Sequence, residues 1–182
     1  MNIKINDHQY TLRALEPEDL DFLYIIENDS SFWKFGASNV PYSKYVLRNY
    51  IATSNNDIYI DGQVRLIIET ELKETIGMVD LVNFDPTHRR AELGIILLEA
   101  YRNKGIGQAV IKEICHYANK YLHLNQVYAI VDKNNYSCLQ CLQRVGFIKG
   151  AVLKQWLFIN NDYIDAIILQ YIFHEKISFK YW

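Results

Sequence analysis

An arginine and a lysine followed by two closely spaced glycines, Arg102-Asn103-Lys104-Gly105-Ile106-Gly107, are the residues of this chain best suited to chemistry. A short apolar run, Ala91 to Leu98, precedes them and reads as a buried strand. An amphipathic helical pattern follows, from Gln108 to about Asn119. A strand, a glycine turn and a helix start together make an anion site. The first backbone N–H groups of a helix lack internal partners, its dipole adds positive charge there, and glycine lets a phosphate approach the main chain. Arg102 and Lys104 add two formal charges, so the turn is expected to hold a pyrophosphate. The alternative is a plain turn, because the pattern is neither a Walker loop nor the G-x-G-x-x-G of dinucleotide folds.

Other reactive side chains weigh less. Cys138 and Cys141 form a Cys-x-x-Cys, but both fall inside a helical apolar pattern and Cys115 stands alone, so structural thiols are expected and no metal site. An odd cysteine count fits a reducing compartment. His88-Arg89-Arg90 is too small a basic patch for nucleic acid, and the formal net charge of −2 argues the same way.

The elements that must position these residues follow from periodicity and turn chemistry. Lys4-Ile5 and His8 to Leu15 read as extended segments around Asn6-Asp7, and Pro17-Glu18-Asp19 opens a first helix that ends at Asn28 to Ser31. Phe32 to Pro41 is irregular and aromatic, and Tyr42 to Ala52 is a second helix. Asn55 to Asp57 and Asp61-Gly62 are turn signals; Val64 to Thr70 and Thr75 to Phe84 are strands. Beyond the central strand and helix come a strand at Val127 to Val131, a short helix at Tyr136 to Val145, and two strands from Gly146 to Phe173 around Asn160-Asn161-Asp162. With 182 residues, half of them hydrophobic, one α+β domain spanning residues 1–182 with a mixed sheet is expected. No apolar run approaches the roughly 20 residues of a membrane span. The opening MNIKINDHQY lacks the apolar centre of a secretory signal, so a cytoplasmic location is expected.

In this context the chain resembles the GNAT family of acetyl-CoA-dependent N-acetyltransferases. The carriers are Arg102 to Gly107, which stands where the family has Q/R-x-x-G-x-G/A, and Asn135, which opens a short helix closing on Gly146-Phe147. Within the family it looks most like the spermidine/diamine acetyltransferases and the ribosomal-protein alanine acetyltransferases, through His88 to Glu92, Ile130 to Asn135, Phe158-Ile159-Asn160 and Leu12 to Leu20.

The resemblance implies a sheet of about six to seven strands flanked by helices and split between the fourth and fifth strands. Acetyl-CoA would be held by the backbone of Arg102, Asn103, Lys104, Gly105, Ile106 and Gly107. Ile95, Ile96 and Leu97 would run beside its pantetheine, and Asn135 would bond it near the split. The implied reaction is direct attack of a neutral amine on the thioester, with the acceptor a small molecule, first a polyamine or diamine.

An alkyl amine is mostly ammonium near neutrality, its pKa being close to the ~10.4 of lysine. A proton acceptor is therefore useful, and Glu92, in an apolar segment that disfavours a carboxylate's charged form, is the candidate base. Its alternatives are an ion pair with Arg89 or Arg90, or water as the base. The family's tyrosine acid seven residues after the asparagine is replaced by Leu142, with Tyr136, Tyr163 and Cys141 as possible substitutes. Glu27 and Trp33 are candidate acceptor-binding residues, the loop Phe35 to Pro41 having no acid of its own. A protein N-terminal amine as acceptor, and a non-catalytic acyl-CoA-binding protein, are the rival readings. The aromatic tail Phe179 to Trp182 would be costly in water and leaves a homo-oligomer open.

Overall fold

A computed structural model describes residues 1–5, 8–33, 40–55 and 57–173. The turn at Asn6-Asp7, most of the loop after Trp33 and the tail at Phe179 to Trp182 lie outside them.

Eight strands form one sheet in the order β1-β2-β3-β4-β5-β6-β8-β7. They are β1 (Asn2–Ile5), β2 (His8–Ala14), β3 (Val64–Thr70), β4 (Thr75–Asp85), β5 (Arg90–Leu97), β6 (Gln126–Asp132), β7 (Ile148–Ile159) and β8 (Asp162–Ile172). Every neighbouring pair is antiparallel except β5 and β6, which are parallel and joined through a helix, as parallel strands require. The sheet thus has more strands than the six to seven expected. The N-terminal segment contributes two paired strands, so the split falls between the fifth and sixth.

Among the described residues six α-helices cover the faces: α1 (Leu20–Asn28), α2 (Ser30–Trp33), α3 (Lys44–Thr53), α4 (Ile58–Asp61), α5 (Ile106–Lys120) and α6 (Tyr136–Val145). On one face Ile106, Val110, Ile111, Ile114, Cys115 and Ala118 line a single stripe of α5, at the spacing that keeps one side of a helix on the core. They meet Val79, Leu81, Ala91, Leu93, Val127, Ala129 and Val131 from the strands. Strand residues alternate between faces, so Ile67, Met78 and Ile96 turn to the other side and pack with Leu23, Ile26 and Leu47 of α1 and α3. Both α2 and α4 went unread in the sequence. The turn residues Asp57 and Gly62 are the caps of α4: the Asp57 side chain accepts from the Tyr59 amide, and Gly62 takes the left-handed conformation.

Candidate active site

The turn after β5 ends in a helix start with no protein partner. The amide of Arg102 bonds back to Glu99 at 3.1 Å, and the Ala109 amide is the next to find an acceptor, the Gly105 carbonyl at 3.1 Å. Among the described residues, the amides from Asn103 to Gln108 meet no backbone acceptor, and no side chain caps α5. Asn103 and Gly105 have φ of 60° and 82°, the left-handed conformation that curls successive N–H groups toward one side. A Cβ added at Gly105 would meet nothing within 4 Å, so the concavity is open. The helix itself starts at Ile106, placing Ile106 and Gly107 in its first turn.

Both cations of the turn are braced by protein. Arg102 Nε donates to the Leu97 carbonyl at 2.9 Å, and its guanidinium lies 5.7 Å from the Phe32 ring centroid. The Lys104 ammonium lies 5.5 Å from the Tyr101 ring, whose hydroxyl donates to Glu74 at 2.7 Å.

The split lies just upstream of this turn. β5 and β6 pair at only three rungs, Arg90 with Gln126, Ala91 with Val127 and Glu92 with Tyr128. Both strands continue beyond Glu92 and Tyr128, β6 paired to β8 and β5 paired to β4, so a gap opens between them. Backbone polar groups alternate in direction along a strand. The Leu98 amide bonds to Ile76 at the β4 end, so the polar groups of Ile95 and Leu97 face the gap. Ile96, between them, turns its backbone the other way: its carbonyl faces Gly77 of β4, where a Cβ would collide with it, and its side chain packs against the α1–α3 cluster.

On the far side of the gap, Asn135 is the N-cap of α6. Its Oδ1 accepts from the Cys138 amide at 3.2 Å and from Ser137 at 3.0 Å, and the pair of N–H groups on the same amide is left for other acceptors. Leu142 is 1% exposed and belongs to the core. Of the three substitutes for the missing acid, Tyr136 and Tyr163 are 68% and 63% exposed, and Tyr163 stacks with Phe158. The Cys141 sulfur would sit 3.7 Å from a Cβ at Gly107, beside the helix start, and burial pushes its thiol pKa up. Burial also raises the thiols of Cys115, to about 12, and Cys138, to about 11, as expected for structural cysteines.

The α1–α3 face carries the charges. Glu92 accepts from Asn83 Nδ2 at 2.9 Å. Arg90, one of its expected partners, pairs with Asp85 at 3.2 Å instead. Tyr128 stands opposite Glu92 in the last shared rung; burial, and next the Glu92 charge, raise its pKa. That approach is looser than the Asn83 bond. Arg65 bonds Asp80 through two nitrogens, at 2.9 and 2.8 Å, and Glu27 through a third at 2.8 Å. Glu27 is therefore not a free anion: its charge is shared with Arg65. Trp33 is fixed by its indole N–H, which donates to the Glu27 carbonyl at 2.8 Å.

The acetyltransferase (GNAT) domain family matches residues 9–148. The chain belongs to the GNAT acetyltransferases. The spermidine N(1)-acetyltransferase of Escherichia coli K12 is 30% identical over 171 residues, 94% of this chain and 90% of its own length. The ribosomal N-acetyltransferase-like YdaF of Bacillus subtilis is 30% identical over 171 residues, 90% of this chain and 91% of its own. The spermidine N-acetyltransferase of Vibrio cholerae, solved in complex with CoA and spermine, superposes with a TM-score of 0.78 at 27% identity, covering 90% of this chain and 95% of that one. This GNAT chain is accordingly an acetyl-CoA-dependent N-acetyltransferase.

The open amides of the turn, the gap-facing backbone of Ile95 and the free amide N–H groups of Asn135 fit such a cofactor. When bound, it supplies the activated acetyl group. Sequence reasoning missed Asn83, Tyr128 and the partner of Glu27. The alternation of β6 could have flagged Tyr128, which shares a face with Gln126, Ile130 and Asp132 against buried Val127, Ala129 and Val131. Arg65, 38 residues from Glu27, left no local signal.

Proposed function

We propose that this enzyme acetylates a primary amine of a polyamine or diamine, with the backbone of Arg102 to Gly107 holding the cofactor's diphosphate. The supporting observation is electrostatic. On the face that β3, β4 and β5 turn to α1, Arg65 is shared by two carboxylates, Asp80 and Glu27, and Glu92 has no lysine or arginine partner among the described residues. An excess of acid beside the split suits an acceptor with more than one ammonium group, which brings charge to compensate it. The relatives named for spermidine acetylation support the same reading.

Glu92 is our candidate base. It would take the proton that an ammonium must lose before its nitrogen can attack, and its neighbours Ala91 and Leu93 are buried against α5, keeping water from one side. Leu142 offers no proton to the departing thiolate, so that step would proceed without the tyrosine the family uses. A thiolate is a fair leaving group on its own, a thiol's pKa being about 8.5. The YdaF relative gives a second reading, a protein N-terminal amine. A V. cholerae neighbour is described as dodecameric, with a TM-score of 0.76 at 29% identity, and we propose a homo-oligomer here as well.

Thiol release from acetyl-CoA over a panel of spermidine, spermine, a diamine and an N-terminal ribosomal peptide tests the assignment. Spermidine or spermine is expected to give the highest kcat/KM. Turnover of the peptide alone would transfer the assignment to the second reading.

A further inference from the structure

Asn83 is a strange residue to find inside a strand, since asparagine is depleted there. β4 runs eleven residues, and its register with β5 slips between Val82 and Asp85. Asn83 lies in that slip with φ of 49°, a conformation asparagine tolerates better than most residues. Such bulges re-aim side chains. Here the result is the 2.9 Å bond from Asn83 Nδ2 to Glu92 Oε2. From the opposite strand, Tyr128 flanks the same carboxylate.

The chemistry of these neighbours is informative. The other charged groups around this rung are Arg90 and Asp85, which pair with each other, and His88, whose amide donates to Asp85. Among the described residues no lysine or arginine forms an ion pair with Glu92. An arginine would orient a carboxylate equally well but would cancel its charge. A neutral amide and a phenol fix its direction and leave that charge for an arriving ammonium.

We propose that Asn83, turned toward the site by the bulge in β4, is the positioning residue that aims the Glu92 carboxylate at the incoming amine, with Tyr128 steadying it from β6. The inference rests on the reading of Glu92 as the base. Because Asn83 acts through Glu92, its contribution vanishes when Glu92 cannot accept a proton.

A double-variant cycle on the full chain tests this. Asn83→Gly keeps the left-handed backbone available while removing the amide. It is expected to lower kcat for the amine about fivefold, the size of one ordinary hydrogen bond, with KM for acetyl-CoA unchanged. In a Glu92→Gln background the same substitution changes nothing further. Equal losses in both backgrounds overturn the proposal. The thermal shift with CoA reports folding. Should the glycine variant lose that shift, Asn83→Asp preserves the shape and sets a second acid against Glu92; kcat then falls in the wild-type background and not in Glu92→Gln, and equal losses again overturn the proposal. A wild-type protein that turns over no amine sinks the functional reading together with this inference. An active wild type with an additive cycle sinks the inference alone.

Discussion

On the face covered by α5 and α6, the sheet meets aliphatic side chains almost without interruption, from Val79 and Leu81 through Ala91 and Leu93 to Val127, Ala129 and Val131. On the face covered by α1 and α3, the apolar cluster is small, and two guanidiniums each bridge two carboxylates: Arg13 to Asp19 and Glu69, and Arg65 to Asp80 and Glu27. The contrast divides the work. The dry face holds the helix whose start is the proposed diphosphate site, and its role is to keep that start still. The charged face is where the amine is proposed to arrive and be told from other acceptors, and its charges come at a cost in stability, since charge taken from water is repaid only by well-made pairs.

The largest expected effect comes from unbalancing the charged face. Arg65→Met strands two carboxylates that are 15% and 24% exposed in their side chains, and a loss of about 3–5 kcal/mol in denaturant unfolding is expected. The preference among amines should change with it. Ile114→Ala on the dry face should cost about 2–5 kcal/mol by opening a cavity, yet leave amine preference alone. Equal effects on preference from the two variants would erase the distinction between the faces.

A smaller change targets the turn. Gly105→Ala forces a side chain into φ of 82°, worth about 1–2 kcal/mol, and places a methyl group in the open concavity. The thermal shift with CoA should largely disappear while the fold persists. A full shift would mean the diphosphate lies elsewhere.

The smallest effect is on acid stability. Burial pushes the Asp19 carboxyl up, but the bond from Arg13, the Glu16 amide and the Arg13 charge more than offset it, so its pKa is lowered. Bonds from Arg13 and Lys73 lower that of Glu69. Groups depressed on folding stabilise the protein above their unfolded pKa values, about 3.9 and 4.3, and that contribution is lost as pH falls through the folded values. Tm should therefore drop below about pH 4, and Arg13→Met should flatten the drop. An equally steep fall in the variant would show that these pairs add nothing to the charged face.

Much of this was legible in the chain because it is local. The stripe from Ile106 to Ala118 fixes α5, and the Asn135 cap and Gly146 terminus fix α6. The turn at Arg102 to Gly107 announced itself through charge and glycine. What stayed hidden depends on partners distant in sequence. Ile95 and Leu97 read no differently from Ile96, and only pairing with β4 tells which backbone groups face the gap. Glu27 reads as a solvated helix-end acid until Arg65 is brought to it. Asn83 is an unusual strand residue, but its type alone does not show the register slip that turns it toward Glu92.

The crowding at Gly77 has a consequence of its own. A methyl group there would strike the Ile96 carbonyl, so β4 and β5 lie as close as two main chains can with no side chain between them. Any larger residue at 77 would have to displace the main chain of β5, the strand that borders the opening. One edge of that opening is thus backed by a glycine, on a strand that does not border it.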